Sequence, residues 1–424
     1  MGNKFPKGFL WGAATSAYQV EGNNVNSWSE WEKNNAKKLS QEAKNKWQKW
    51  QQEKFPEMFE EENYLSGQAC DFYNRYEEDF DLAKMGGHNA HRLSFEWSRI
   101  EPEEGRFDEN EIEHYRKVIR SLKEKNIEPM ITLWWWTNPL WIENIGGWEN
   151  KKTKQCFLAY IERIIKEFKG EGVRLWIPGN EPGTYIGMAY VKGEHPPMVK
   201  SIWRANKAFK NILTAFDEAY DIIHAHQPGA QVGLSHYARF MSPKTNKIFD
   251  IYITRLLDYI KNWRFLETCK KYDFIGIQYY RANSVEIKFS KSNIWGPIKE
   301  ADDITQWHSD MGWCVYPEGI YHLLKKTAKF GKDIYISENG IAAIDDAKRE
   351  KFLKESIFYI QKALKEGIKI KGYFHWSLLD NFEWDKGFWP RFGLIEVDYK
   401  TLERKPRPSF YAYKKIIEQN GLDE

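Results

Sequence analysis

A chain of 424 residues with 42% hydrophobic content can fill a core larger than one ordinary domain holds, and a (β/α)8 barrel is the common way to keep that length in one unit. Its net charge of +3 is small for this length, so no nucleic-acid partner is expected. Cys70, Cys156, Cys269 and Cys314 stand far apart with no CxxC pair, which speaks against a zinc site or a disulfide framework. No run is apolar and long enough to span a membrane. The N-terminus lacks an apolar h-region, and Pro6 stands where a myristoylation signal needs Ser or Thr. A cytoplasmic location follows by default, and no membrane partner is expected.

Strand candidates recur with helical patterns between them. In order they are Phe9 to Ala14, Asn89 to Ser94, Ile127 to Leu133, Val173 to Ile177, Gln231 to Ser235, Phe274 to Tyr279, Ile334 to Ile336, and Ile370 to Trp376. The spacing predicts amphipathic helices with apolar faces at Ile112, Tyr115, Ile119 and Leu122, and at Phe157, Ile161, Ile164 and Phe168. Others carry Phe209, Leu213, Phe216, Tyr220 and Ile223; Ile320, Leu323, Leu324 and Ala328; and Leu353, Ile357, Ile360 and Leu364. Asp108 and Glu111 make a capping-box-like start, while Gly331 and Gly367 close two helices. Strand and helix alternating to a count of eight favours one (β/α)8 barrel domain over residues 1–424.

Two stretches exceed the minimal repeat. Residues 26–66 follow the first strand, and Ala43, Trp47, Trp50 and Met58 suggest a partly helical segment with one aromatic face, interrupted near Pro56. Residues 281–312 read as a long polar loop after the sixth strand, carrying Trp295 and Trp307. Both follow strand C-termini, so both are expected to roof the barrel mouth.

Two carboxylates occupy matching places. Glu338 follows the short seventh strand, in Ser337-Glu338-Asn339-Gly340, where Gly340 permits a sharp turn. Glu181 follows the fourth, in Pro178-Gly179-Asn180-Glu181-Pro182. Read from its own stretch alone, Glu338 fits a catalytic nucleophile and a turn-capping carboxylate equally well. Strands four and seven lie across a closed barrel, so the two carboxyls can converge. Glycoside hydrolysis uses such a pair, about 5–5.5 Å apart in retaining enzymes and about 6.5–9.5 Å in inverting ones. The 20 Trp, 23 Tyr and 25 Phe fill the core and supply planes on which apolar sugar faces stack.

These stretches together resemble glycoside hydrolase family 1, the retaining β-glycosidases, over nearly the whole chain. Asn180-Glu181-Pro182 is similar to the family's acid/base motif, and Ser337-Glu338-Asn339-Gly340 to its nucleophile motif. Ala14 to Gly22, Arg92 to Arg99, Trp376 to Trp384, and Arg391-Phe392-Gly393 resemble its other signatures. The resemblance implies that Glu338 is the nucleophile, kept ionised by Arg92 and hydrogen-bonded by Tyr280. It implies that Glu181 starts protonated as the acid/base. It assigns Gln19, Trp135, Trp136, Asn180, Trp376, Glu383, Trp384 and Phe392 to the sugar, with no metal or cofactor. Glu383 implies a non-phosphorylated glycone, because a carboxylate there repels phosphate. The partner is a small-molecule β-glycoside; the oligomeric state stays open.

Three positions depart from the family pattern. Trp135 stands where a histidine usually contacts the sugar 3-hydroxyl, Gln278 replaces an asparagine, and Gly179 replaces a bulkier residue. Trp135 brings one donor, no acceptor and more bulk, so a reshaped glycone pocket or an unusual glycoside is expected; the other possibility is that Trp135 points away. Transfer of the glycosyl group to an alcohol, and carbohydrate binding without turnover, are the alternative activities. His224 and His226 read as surface or capping residues, Glu21 as structural, and Glu96 and Glu143 as carboxylates without a partner motif.

Overall fold

The computed structural model describes residues 4–288 and 298–422. Eight parallel strands close a barrel: β1 (Leu10–Ala14), β2 (Ala90–Ser94), β3 (Glu128–Thr132), β4 (Leu175–Ile177), β5 (Gln231–Tyr237), β6 (Phe274–Tyr279), β7 (Asp333–Asn339) and β8 (Ile370–Trp376). Neighbours around the ring follow chain order, and β1 closes it by pairing with both β2 and β8. The expected strands therefore stand within a few residues of their places. The exception is β7, which continues through the site motif to Asn339.

Apolar alternation fixes two cores. Inside the barrel, Ala90, Met130, Leu175, Phe274, Tyr335 and Phe374 interlock in one cluster. Outside it, the helices lay their apolar faces on the strands. Ile112, Tyr115, Ile119 and Leu122 of helix Glu109–Glu124 are buried, as are Phe157, Ile161, Ile164 and Phe168 of helix Lys151–Phe168. The first helix starts at Asp108, whose carboxylate accepts from the Asn110 amide at 2.9 Å. Among the described residues no helix is long and apolar enough to cross a membrane.

The 26–66 insertion is more helical than its sequence suggests. A helix spans Ser27–Lys46, capped by Asn26 and Ser29, and a short one spans Lys49–Lys54. Ala43 and Met58 are buried as expected, but Trp50 is 40% exposed and donates its indole N–H to the Gln48 side chain. The cause is the break at Trp47, which is extended (φ −105°, ψ 151°) and resets the helical phase before Trp50. The buried aromatic face is instead Trp28 and Trp31, packed on each other at 5.0 Å.

Residues 281–312 are not a plain loop. Ala282–Ile287 pairs antiparallel with Ile298–Ala301, and both join Phe240–Pro243 in a three-stranded sheet. Trp307 packs against Val315, Ile341, Ala343 and Phe352. Trp295 lies outside the described residues.

Gly340 has a different reason from the expected turn. Its φ is not positive; a Cβ there would lie 1.8 Å from the Trp376 carbonyl oxygen. The glycine lets β7 and β8 approach just above the site. Gly179 is similar: a Cβ would meet Phe216 at 2.6 Å and Trp134 at 2.7 Å, so two rings occupy the space of the bulkier residue. Gly340→Ala is expected to cost about 2–3 kcal/mol through overpacking, read as a lower midpoint in urea unfolding with unchanged slope.

Candidate active site

The site begins with a bulge. β7 and β6 run in register to Ile336 and Ile277, then Glu338 pairs with Gln278, leaving Ser337 as the extra residue. The bulge aims Glu338 into the barrel beside Gln278, which donates to Glu338 Oε1 at 2.5 Å. Arg92 on β2 donates to the same oxygen, and the Tyr280 hydroxyl donates to Oε2. Three donors, one from β2 and two from β6 and its end, thus hold one carboxyl.

Arg92 is fully buried beneath the cavity and reaches further. It donates to Asn180 Oδ1 at 2.6 Å and to Ser235 Oγ at 3.1 Å. Gln278 bonds the same two groups, at 2.8 and 2.7 Å. Its extra methylene over asparagine lets one amide serve β4, β5 and β7 together.

Glu181 is held by backbone. Beyond β4, the Asn180 amide donates to the Trp134 carbonyl at 2.9 Å and the Glu181 amide to the Ser235 carbonyl at 3.1 Å. Glu181 itself sits in the left-handed region (φ 41°), a costly conformation for a residue with a Cβ, just before Pro182 starts a helix. Both carboxyls face one cavity of about 240 Å³.

Aromatic planes form its walls. Trp135 stacks on Trp376 with ring centres 5.6 Å apart, and the Arg92 guanidinium lies 4.3 Å from the Trp135 ring. Trp135 therefore lines the cavity and does not turn away. Trp384 lies between Tyr18 (5.5 Å, stacked) and Trp136 (4.9 Å). Phe392 meets Tyr280 edge-on at 6.0 Å. Gln19 donates to the Phe382 carbonyl at 2.8 Å and to Glu383 Oε2 at 3.3 Å, so Gln19 and Glu383 form one polar pair at the cavity wall.

Electrostatics separate the two carboxyls. Burial and then the charge of Glu338 push Glu181 well above the ordinary carboxylate range. Burial also raises Glu338, but Arg92, Tyr280 and Gln278 oppose the rise. Desolvation outweighs these donors at Glu338, and Glu181, which faces that charge, is raised further. Burial lifts Glu383 to about 8, with Lys386 opposing. That shift favours its neutral acid over the carboxylate form.

Every cavity residue expected from the sequence comes together here; only Arg92 lies below the wall. Sequence reading missed Ser235, Trp313, Lys192, Arg239, Arg281 and Asp385. Arg281 and Asp385 directly follow Tyr280 and Trp384, so adjacency to a motif was their only signal. Several residues set aside do have structural partners. Glu21 pairs with Arg99 at 2.9 Å and Glu96 accepts from Ser98 and Thr137. Glu143 accepts from Asn138, His224 meets Asp273 at 2.9 Å and His226 meets Glu162 at 3.2 Å. Among the described residues no His, Cys, Asp or Glu cluster could hold a metal.

A closed (β/α)8 barrel with two unlike carboxyls facing one aromatic-walled cavity at its strand C-termini is the architecture of a glycoside hydrolase. The model of Glycosyl hydrolase family 1 matches residues 1–269 and 262–422, and the chain belongs to that family. It is 32% identical to Beta-glucosidase A of Thermotoga maritima, with 99% of each chain covered. It superposes on a beta-glycosidase from Pyrococcus horikoshii with a TM-score of 0.88 at 35% identity, covering 100% of this chain and 97% of that one. A Thermotoga maritima beta-glucosidase in complex with glucoimidazole gives 0.86 at 29% identity, over 99% and 100%.

Glu383 links the site to stability. Its unfolded carboxyl loses its proton near 4.5 and its folded one near 8, so rising pH between those values favours the unfolded chain. Glu383→Gln removes that drag. Its Tm is expected to match wild type at pH 4 and to exceed it by roughly 1–3 °C at pH 8, by calorimetry.

Proposed function

We propose that the chain, as one catalytic domain, is a retaining β-glycosidase acting on non-phosphorylated β-glucosides or β-galactosides, with Glu338 as nucleophile and Glu181 as acid/base. The observation that carries this reading is the asymmetry of the pair. Glu338 is gripped by Arg92, Tyr280 and Gln278, which favour its anion, whereas Glu181 is raised by burial and by the charge it faces.

In the first step a Glu338 oxygen attacks the anomeric carbon. The bond to the leaving oxygen breaks, and that oxygen takes the Glu181 proton. Glycosylation removes the charge of Glu338, so Glu181, now ionised, is no longer pushed up by it and accepts a proton from water. That water attacks the anomeric carbon, Glu338 departs as carboxylate, and the sugar leaves with its original configuration.

Asn180, held by Arg92, is placed to bind the 2-hydroxyl. Gln19 and Glu383 take the outer hydroxyls, Trp376 and Trp384 the ring, and Trp136 and Phe392 complete the wall. Glu383 occupies the place where a 6-phosphate would need a cation. Trp135 offers one N–H and a flat face where the family's histidine offers a donor and an acceptor. The four free cysteines suit a reducing compartment, in line with a cytoplasmic location.

Glu338→Gln is expected to lower kcat on an aryl β-glucoside by about 10⁴-fold or more, and a 2-fluoro-glycoside should label wild-type Glu338 alone by peptide mass. Glu181→Gln should lose the alkaline limb of the pH–rate profile and, given azide, release β-glycosyl azide. A label on another residue would refute the assignment. Trp135→His is expected to shift the ratio of kcat/KM between β-glucoside and β-galactoside by about tenfold; an unchanged ratio removes Trp135 from glycone selection.

A further inference from the structure

We propose that the cavity mouth on the Glu181 side is a cation-walled aglycone subsite that selects β-glycosides whose aromatic leaving group carries a carboxylate. This deepens the glycosidase reading above and rests on it for which end of the cavity holds the leaving group.

The placement follows from the ring order. The leaving oxygen sits beside Glu181, beyond β4. Going round from β4, the next strands are β5 and β6. Arg239 follows β5 and Arg281 follows β6, and both line the cavity. Lys192 joins them from Gly187–Lys192, the last turn of the helical run that begins at Pro182. Gln19 and Glu383, the outer-hydroxyl pair, come from beyond β1 and β8 on the far side.

Among the described residues, the carboxylates that pair with the cations of this mouth are fewer than those cations. Glu300 is shared by Lys261 and by Arg239 at 3.5 Å. Asp385 is shared by Lys386 at 2.5 Å and Lys46 at 3.0 Å. Asp302 lies 3.6 Å from Arg281, and Glu194 lies 3.9 Å from Lys192. Two carboxylates thus each serve two cations, which leaves positive charge over. Lys192 responds to it: partial desolvation first, then Arg239, Lys386 and Arg281, hold its ammonium below the ordinary lysine value despite Glu194. Two of these cations also lie on aromatic planes: Arg281 is 4.9 Å from the Trp313 ring and Arg239 is 5.2 Å from that of Tyr237. A flat ring bearing an anion matches both features, since the planes take the ring and the guanidinium forks take the carboxylate.

The test compares the β-glucosides of 4-hydroxyphenylacetic acid and of 4-(2-hydroxyethyl)phenol, which differ in charge at similar shape. At low salt kcat/KM should favour the acid by about fivefold or more. The ratio should fall toward one in about 0.5 M salt and in a Lys192→Gln/Arg239→Gln double variant. Equal or reversed rates in wild type, a ratio unmoved by salt, or faster turnover of the matching 6-phosphoglucoside would overturn the proposal. Binding of the two free phenols, followed by tryptophan fluorescence, separates the two readings. If neither glucoside is cleaved, the glycosidase reading fails; tighter, salt-sensitive binding of the free acid would still uphold the cationic wall, and equal binding would sink it.

Discussion

The guanidinium of Arg92 is the tie on which the site depends. It lies buried in the barrel, where an unpaired charge would cost several kcal/mol. Its donors are spent on Glu338 from β7, Asn180 from β4, Ser235 from β5 and Thr132 from β3. One rigid planar group therefore fixes the relative positions of four strand ends. Such a group is tolerable only because the ring of strands is closed, so each partner arrives from a different direction and none has to bend.

Around that tie the barrel sets competing forces against one another. Desolvation raises Glu181, Glu338 and Glu383 alike. What distinguishes them is which donors and charges stand beside each. Glu338 has a cation and two neutral donors, Glu383 has Lys386 and Gln19, and Glu181 has mainly the negative charge it faces. Three chemically identical side chains acquire three different proton affinities from their neighbours alone.

The segments beyond the minimal repeat complete the enclosure. Trp28, near the start of the long helix of the 26–66 insertion, packs on Trp384 at 4.6 Å and on His195 at 4.8 Å. Trp47, at the end of that helix, meets Trp389 at 5.0 Å and lines the cavity. The insertion thus braces the wall behind Trp384. The segment after β6 lines the cavity with Arg281 and Met311. The mouth of the barrel is consequently built from residues far apart in the chain, with both charge and aromatic surface imported by these segments.

By itself the sequence determined the eight-fold alternation, the helix faces such as Ile112 to Leu122, and the two acids at strand tips. Each of these is written in local periodicity or in contiguous residues such as Asn180-Glu181-Pro182. Only the tertiary structure decided the bulge that sets Glu338 against Gln278, the space that forbids a side chain at Gly340, the outward turn of Trp50 and the cations at the mouth. It also decided the balance of burial against donors that leaves Glu338 raised rather than lowered. The reason is range: hydrophobic spacing acts over one or two helical turns, whereas desolvation, close packing and charge balance depend on neighbours hundreds of residues away, which the chain meets only when the barrel closes.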